Sequence, residues 1–121
     1  MTKKIMIVDD SASIRQVAKM TLLAEGYEVI DACDGLDAIN KLDDGKINLI
    51  ISDLNMPNMD GLSLLKKVKE MGQYRFTPFL MLTTESGSDF VNQGKQAGAK
   101  AWMIKPFKPE KLINTVSRIL A

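Results

Sequence analysis

Five side chains that could carry out chemistry each follow a short apolar run. Asp9 and Asp10 follow the first run, Asp53 the third, Thr83 the fourth and Lys105 the fifth. Three carboxylates held together repel, because each disfavours the charged form of its neighbours. Mg²⁺, a hard cation that prefers oxygen ligands, would stabilise such a cluster, and Lys105 would add another positive charge. Since Mg²⁺ leaves room for a phosphate group, the set predicts phosphoryl transfer with Asp53 as the nucleophile.

Each of these residues also has a structural interpretation when it is taken alone. Asp9 or Asp10 could cap the first helix, a role that Ser11 also suits. Asp53 could be a turn residue, Thr83 a strand residue and Lys105 a surface lysine. Together they favour a site, because all of them stand at the ends of predicted strands.

Short apolar runs and helical periods alternate along the chain. The predicted strands are 5–8, 27–30, 47–51, 79–82 and 101–104. Helical spacing of apolar residues covers 14–22, 36–42, 62–71, 88–97 and 109–120, and glycines at 26, 45 and 72 follow the first three. The fourth helix is the weakest, since it carries Gly94 inside. Five strands and five helices predict an α/β domain with a doubly wound, five-stranded parallel sheet, whose site lies at the carboxyl ends of the strands.

Composition excludes several classes of protein. The chain has 121 residues, which fits one domain, and it contains no histidine. Serine or cysteine nucleophiles that rely on histidine are therefore excluded, as are zinc sites that need imidazole. Cys33 is the one cysteine, so no intramolecular disulfide forms, and we expect a cytoplasmic protein without a membrane span or signal peptide.

Charge is distributed unevenly along the chain. The net charge is +1, but residues 91–121 hold six basic residues and only one acidic residue. This segment is either a solvated helix face or a surface that meets an acidic partner. No nucleic-acid reader motif accompanies it, so we expect no binding to nucleic acid.

Five motifs occur in a fixed order and at fixed spacing. They are VDDS at 8–11, DLNMPNMDG at 53–61, LTTE at 82–85, AGA at 97–99 and KPF at 105–107. The set resembles the receiver domains of two-component response regulators, most closely the stand-alone CheY-type chemotaxis regulators. This resemblance implies a flavodoxin-like sheet of order 2-1-3-4-5, with residues 1–121 as a single receiver domain and no output domain. A monomer is expected.

The resemblance also implies roles for the acidic residues. Asp53 corresponds to the phosphoacceptor, and its donor would be the phosphohistidine of a CheA-like histidine kinase. The implied Mg²⁺ ligands are Asp10, the Asp53 carboxylate and the Asn55 backbone carbonyl, with Asp9 acting through water. A domain of this kind catalyses only its own phosphorylation and dephosphorylation, so it is not an enzyme with a turnover substrate.

The remaining implied roles concern phosphoryl contacts and switching. Lys105 corresponds to the lysine that pairs with the phosphoryl oxygens, and the Lys105-Pro106 bond is expected to be cis. Thr83 corresponds to the switch hydroxyl. Asn55 and Glu85, two residues beyond Asp53 and Thr83, correspond to positions that tune dephosphorylation.

Trp102 departs from the CheY-type pattern. CheY-type regulators usually carry Tyr or Phe at this position, three residues before the lysine. Trp102 is either a core aromatic of the fifth strand or a bulkier switch residue whose indole turns inward when Thr83 moves. The implied output surface is the fourth helix, fifth strand and fifth helix. It would bind a protein partner, such as the flagellar motor switch, or the domain would serve as a phosphate sink or relay.

Two other classes share parts of this pattern. A flavodoxin-like cofactor binder would need a phosphate loop after the first strand, where Asp9 and Asp10 would repel a phosphate. A phosphatase of the haloacid dehalogenase type uses an aspartate nucleophile with Mg²⁺. It needs a second aspartate two residues further on as general acid, and Asn55 stands there.

Overall fold

The carboxyl ends of all five predicted strands lie at one edge of a single sheet. A computed structural model describes residues 2–42 and 46–121. The strands are β1 (Lys4–Val8), β2 (Glu28–Ala32), β3 (Leu49–Ser52), β4 (Phe79–Thr83) and β5 (Ala101–Ile104). All neighbouring strands pair in parallel, in the order β2-β1-β3-β4-β5. The predicted doubly wound sheet of order 2-1-3-4-5 is thereby confirmed.

Five helices cover the two faces of this sheet. They are α1 (Ala12–Leu23), α2 (Gly35–Lys41), α3 (Gly61–Glu70), α4 (Ser88–Ala97) and α5 (Pro109–Leu120), and a 3₁₀ turn follows α3 at Gly72–Tyr74. None of these helices is long and apolar enough to cross a membrane. The predicted stop of α2 at Gly45 lies outside the described residues.

Alternate residues of each central strand enter two separate cores. In β1, Ile5 and Ile7 join α1 and α5 in one core, while Met6 and Val8 join α2 and α3 in the other. All four side chains are at most 2% exposed. Burial on both faces explains why the strands read as continuous apolar runs.

Two strands differ from the prediction by two residues at one end. The second strand was expected at 27–30, but it extends to Ala32. Its later part includes Asp31, whose carboxylate binds Arg15 of α1 instead of entering a core, so the segment lacked an apolar pattern. The third strand begins at Leu49 rather than 47, because Asn48 turns its side-chain oxygen to the Lys4 N–H.

Candidate functional site

An ammonium group bridges two carboxylates at the carboxyl edge of the sheet. Lys105 Nζ lies 2.5 Å from Asp9 Oδ2 and 3.1 Å from Asp53 Oδ2. The side chains of Lys105, Asp9 and Asp53 are only 10%, 3% and 12% exposed. Because the three residues follow β5, β1 and β3, the parallel sheet alone brings them together. Water is largely excluded, so the charges interact strongly.

A third carboxylate completes the cluster. Asp9, Asp10 and Asp53 each offer an oxygen, and these oxygens lie within 4.8 Å of one another. Asp10 is exposed while Asp9 is buried, so the cluster opens to solvent on the Asp10 side. Hard oxygen donors on one rim, with an open side for water or a phosphate, fit Mg²⁺.

Burial and pairing act on the pKa values of the bridging residues in opposite senses. Burial raises the pKa of Asp9 above its usual value, and the hydrogen bonds from Lys105 and the Ser11 N–H offset this only in part. Burial by itself would lower the pKa of Lys105, but the bonds to the two carboxylates outweigh it, so the pKa is raised. The pocket therefore holds a firmly charged lysine beside a carboxyl group that burial partly penalises.

Ser11, rather than either aspartate, caps α1. Its Oγ accepts the Ile14 N–H, and its own N–H donates to Asp9 Oδ1 at 2.9 Å. The interpretation of Asp9 or Asp10 as the helix cap is therefore wrong. The Asp9 carboxylate instead points into the cluster, because Lys105 and the Ser11 N–H hold it there.

Two residues that sequence analysis missed shape the backbone of the site. Arg15 Nη1 donates to the Asp9 carbonyl oxygen at 2.6 Å, and Arg15 Nε donates to Asp31. Gly61 approaches the loop after β3 so closely that a Cβ atom would lie 2.1 Å from the Asp53 carbonyl oxygen. Arg15 gave no sequence signal, because its partners lie on other elements. Gly61 is the last residue of the DLNMPNMDG motif, but its close approach to the Asp53 carbonyl is visible only in the folded structure.

A second group of predicted residues runs from β4 to β5. Thr83 is fully buried, and its Oγ1 accepts the Glu85 N–H at 3.3 Å. The Glu85 carbonyl in turn accepts the Trp102 indole N–H at 2.8 Å. The Glu85 carboxylate accepts the Gly87 N–H. Asn55 is not part of this group and lies exposed in the loop after β3.

Trp102 is turned inward. It packs against the core shared by α2 and α3, while the next residue, Met103, is buried in the opposite core. Neighbouring side chains of β5 therefore face opposite sides of the sheet. The Lys105-Pro106 peptide bond is cis, as the resemblance implied.

A doubly wound sheet with an acidic cluster and a bridging lysine at its carboxyl edge defines an α/β domain whose pocket could hold a metal ion. Comparison with known families is consistent with this geometry. The family model described as "Response regulator receiver domain" matches residues 5–117. The chain belongs to this family and is a receiver domain of the CheY type.

Relatives and solved structures agree on the subtype. The chain is 39% identical over 119 residues to chemotaxis protein CheY1 of Helicobacter pylori, covering 97% of this chain and 96% of that protein. It is 34% identical to protein PilG of Pseudomonas aeruginosa, covering 93% of this chain and 84% of PilG. The structure of chemotaxis protein CheY4 of Vibrio cholerae superposes with a TM-score of 0.95 at 47% identity, covering 99% of this chain and 100% of that one.

Proposed function

We propose that Asp53 accepts a phosphoryl group from the phosphohistidine of a histidine kinase. The observation that carries this proposal is the bridge from Lys105 to both Asp9 and Asp53, with Asp10 beside it. Asp53 Oδ1 accepts the Leu54 N–H at 2.7 Å, which leaves the Oδ2 side facing the lysine. A nucleophilic oxygen is thereby held next to a fixed positive charge.

The pocket residues divide the work of charge compensation. Lys105 stabilises the charge that spreads over the transferring phosphoryl oxygens, and Arg15 fixes the peptide between Asp9 and Asp10. Asp10, the Asp53 carboxylate and the Asn55 carbonyl would hold Mg²⁺, with Asp9 acting through water. The ion supplies further neutralisation of phosphoryl charge when it is bound. Hydrolysis of the acyl phosphate by water returns the free Asp53 carboxylate, and Asn55 and Glu85 tune water access.

Phosphorylation changes the output surface through Thr83 and Trp102. The Thr83 hydroxyl donates a hydrogen bond to the phosphoryl group, and its hydrogen bond from the Glu85 N–H weakens. Since Glu85 also holds the indole, the change reaches β5 and α4. These elements, with α5, form the output surface.

The output surface fits a protein partner better than a simple phosphate sink. Phe90 and Ile104 are 44% and 39% exposed on α4 and β5. Five exposed basic residues between positions 95 and 118 accompany them (Lys95, Lys100, Lys108, Lys111 and Arg118). Apolar anchors among positive charges suit a partner with apolar and acidic side chains. Because CheY1 and CheY4 are chemotaxis proteins, we place this protein in chemotaxis signalling, with a component such as the flagellar motor switch as its target.

Phosphotransfer from a kinase tests the proposal. A CheA-type kinase carrying a ³²P-labelled phosphohistidine is mixed with the protein and Mg²⁺. We expect label to move to the wild-type chain and to Asp34→Asn, whose aspartate lies outside the pocket, but not to Asp53→Asn. Transfer to Asp53→Asn at the wild-type rate would rule out Asp53 as the acceptor.

A further inference from the structure

The indole of Trp102 fills a space in α4 that exists only because residue 94 is glycine. Gly94 is buried, and a Cβ atom on it would lie 2.6 Å from Trp102 Cζ3 and 3.1 Å from Cε3. The first distance is one that real Cβ atoms essentially never show, and the ring is too rigid to yield. These two ring carbons belong to the second ring of the indole, which Phe and Tyr lack.

Glycine at this position weakens the helix, which makes the pairing informative. Gly94 lies inside α4, where glycine is among the least favourable residues. It needs no left-handed backbone there, since the described glycines with positive φ are Gly26 and Gly98. Helix geometry therefore does not require Gly94, whereas contact with the indole does.

We propose that Gly94 is a positioning residue for the switch, which sets Trp102 inward by accommodating its second ring. The inference rests on the proposed role of Trp102 in switching. With the ring seated against Gly94, the indole N–H reaches the Glu85 carbonyl, and the Glu85 N–H reaches Thr83. Gly94 thus joins α4 to the chain of contacts that begins at the buried Thr83 hydroxyl.

This pairing explains how the chain uses Trp where CheY-type regulators usually have Tyr or Phe. The extra ring needs room, and the missing side chain of α4 supplies it. A methyl group at residue 94 would push the indole outward, break its bond to Glu85 and uncouple α4 from Thr83. A smaller aromatic at residue 102 would remove the conflict.

A double-mutant cycle tests the pairing. The variants are Gly94→Ala, Trp102→Phe and the double variant. Gly72→Ala is the matched control, because nothing lies within 4 Å of a Cβ atom there. With Trp102 present, we expect Gly94→Ala to lower the folded-to-unfolded ratio roughly tenfold in urea titrations, as overpacking does. In the Phe background the same change should raise the ratio a few-fold, about what Ala gains over Gly in a helix.

Indole exposure separates positioning from general destabilisation. In folded Gly94→Ala, acrylamide quenching of Trp102 should rise toward that of the urea-unfolded chain, and it should stay at the wild-type level in Gly72→Ala. The response of hydrogen exchange over residues 86–98 to beryllofluoride and Mg²⁺ should be lost in Gly94→Ala, although acetyl phosphate still labels Asp53. Unchanged quenching together with an unchanged exchange response would overturn the inference.

Two further outcomes are decisive. If Gly94→Ala does not fold, folding of the double variant supports the pairing, and failure of the double variant to fold overturns it. If the wild-type chain takes no label on Asp53, the proposed function fails, and quenching and the unfolding cycle still decide whether Gly94 positions the indole.

Discussion

Asp9 and Asp34 lie just beyond the carboxyl ends of neighbouring strands, yet their environments shift the carboxyl pKa in opposite directions. They are 2% and 7% exposed. Burial dominates at Asp9 and raises its pKa. At Asp34, the Asp37 N–H and then the Asn58 amide dominate and lower the pKa. Asp34 caps α2 and is satisfied by its neighbours, whereas Asp9 depends on a distant lysine.

The difference teaches how to tell a structural carboxylate from a functional one. Asp34 receives the Asp37 N–H at 2.8 Å and the Asn58 side-chain amide at 2.6 Å, and both donors are uncharged. Asp9 shares Lys105 with a second carboxylate, so the single charge is divided. The pocket should therefore gain stability from an added cation or from the loss of one carboxylate charge. The Asp34 cap should gain from neither.

Removing the shared cation should give the largest effect. Lys105→Met leaves Asp9 and Asp53 buried without their partner, and we expect the free energy of unfolding to fall by about 3 kcal/mol in metal-free buffer at neutral pH. Lys41→Met, which breaks the exposed pair between Lys41 and Asp37, should cost little. Urea titrations that show equal losses for both variants would mean that the pocket is no more dependent on its lysine than the surface is.

Magnesium should stabilise the folded protein through the pocket alone. At a concentration about 100 times the dissociation constant, mass action predicts a gain of about 2.7 kcal/mol, seen as a rise in melting temperature. Asp10→Asn should reduce this rise at a fixed Mg²⁺ concentration, and Asp34→Asn should leave it intact. The assignment of the ion site is contradicted if Mg²⁺ does not change the melting temperature, or if it raises that of Asp10→Asn as much as that of the wild type.

Matched substitutions at the two aspartates should have opposite signs in metal-free buffer at pH 7. Asp9→Asn removes a charge that burial penalises, so we expect a gain in stability of about 1 kcal/mol. Asp34→Asn can still accept the Asp37 N–H, but its amide faces the Asn58 amide, and stability should fall. Denaturation by urea measures both, and changes of the same sign would break the comparison.

The pH dependence should separate the two aspartates further, with a smaller effect. Because the folded pKa of Asp9 is raised, its ionised form costs stability above that pKa. The advantage of Asp9→Asn over wild type should therefore disappear as pH falls through the folded pKa toward 3.8.

Asp34 behaves in the opposite sense. Because its folded pKa is lowered, its carboxylate contributes stability above 3.8 that is lost as pH falls through the folded pKa. The deficit of Asp34→Asn should close only below 3.8. Thermal melts of the three proteins in EDTA from pH 7 to pH 3 measure both windows, and parallel curves would contradict the assigned directions.

Much of this architecture could be predicted from sequence, for a physical reason. A parallel sheet covered on both faces leaves continuous apolar runs, so β1 and β4 were located closely and their carboxyl ends led to the pocket. The edge strand β2 was predicted two residues too short at its carboxyl end, because that end includes the polar Asp31. Strand ends are local features, so Asp9, Asp53 and Lys105 were found without knowing any contact.

Contacts between distant elements escaped sequence analysis. Arg15 contacts the Asp9 carbonyl, and a side chain at Gly61 or Gly94 would collide with Asp53 or Trp102. No local sequence pattern predicts such contacts. Gly94 was recognised as a weak point of α4, but its partner Trp102 lies on β5. The Asp34 cap was missed although its bond from the Asp37 N–H is local, whereas the bond from Asn58, 24 positions away, leaves no local pattern.

Covalent labelling of Asp53 tests the central claim most directly. The wild-type chain is incubated with acetyl phosphate and Mg²⁺, and intact mass and peptide mass spectra are recorded. We expect one added phosphoryl group, on the peptide containing Asp53, and the same result for Asp34→Asn. Asp53→Asn should remain unmodified under the same conditions. Full labelling of Asp53→Asn, or a phosphoryl group on another residue of the wild-type chain, would contradict the account.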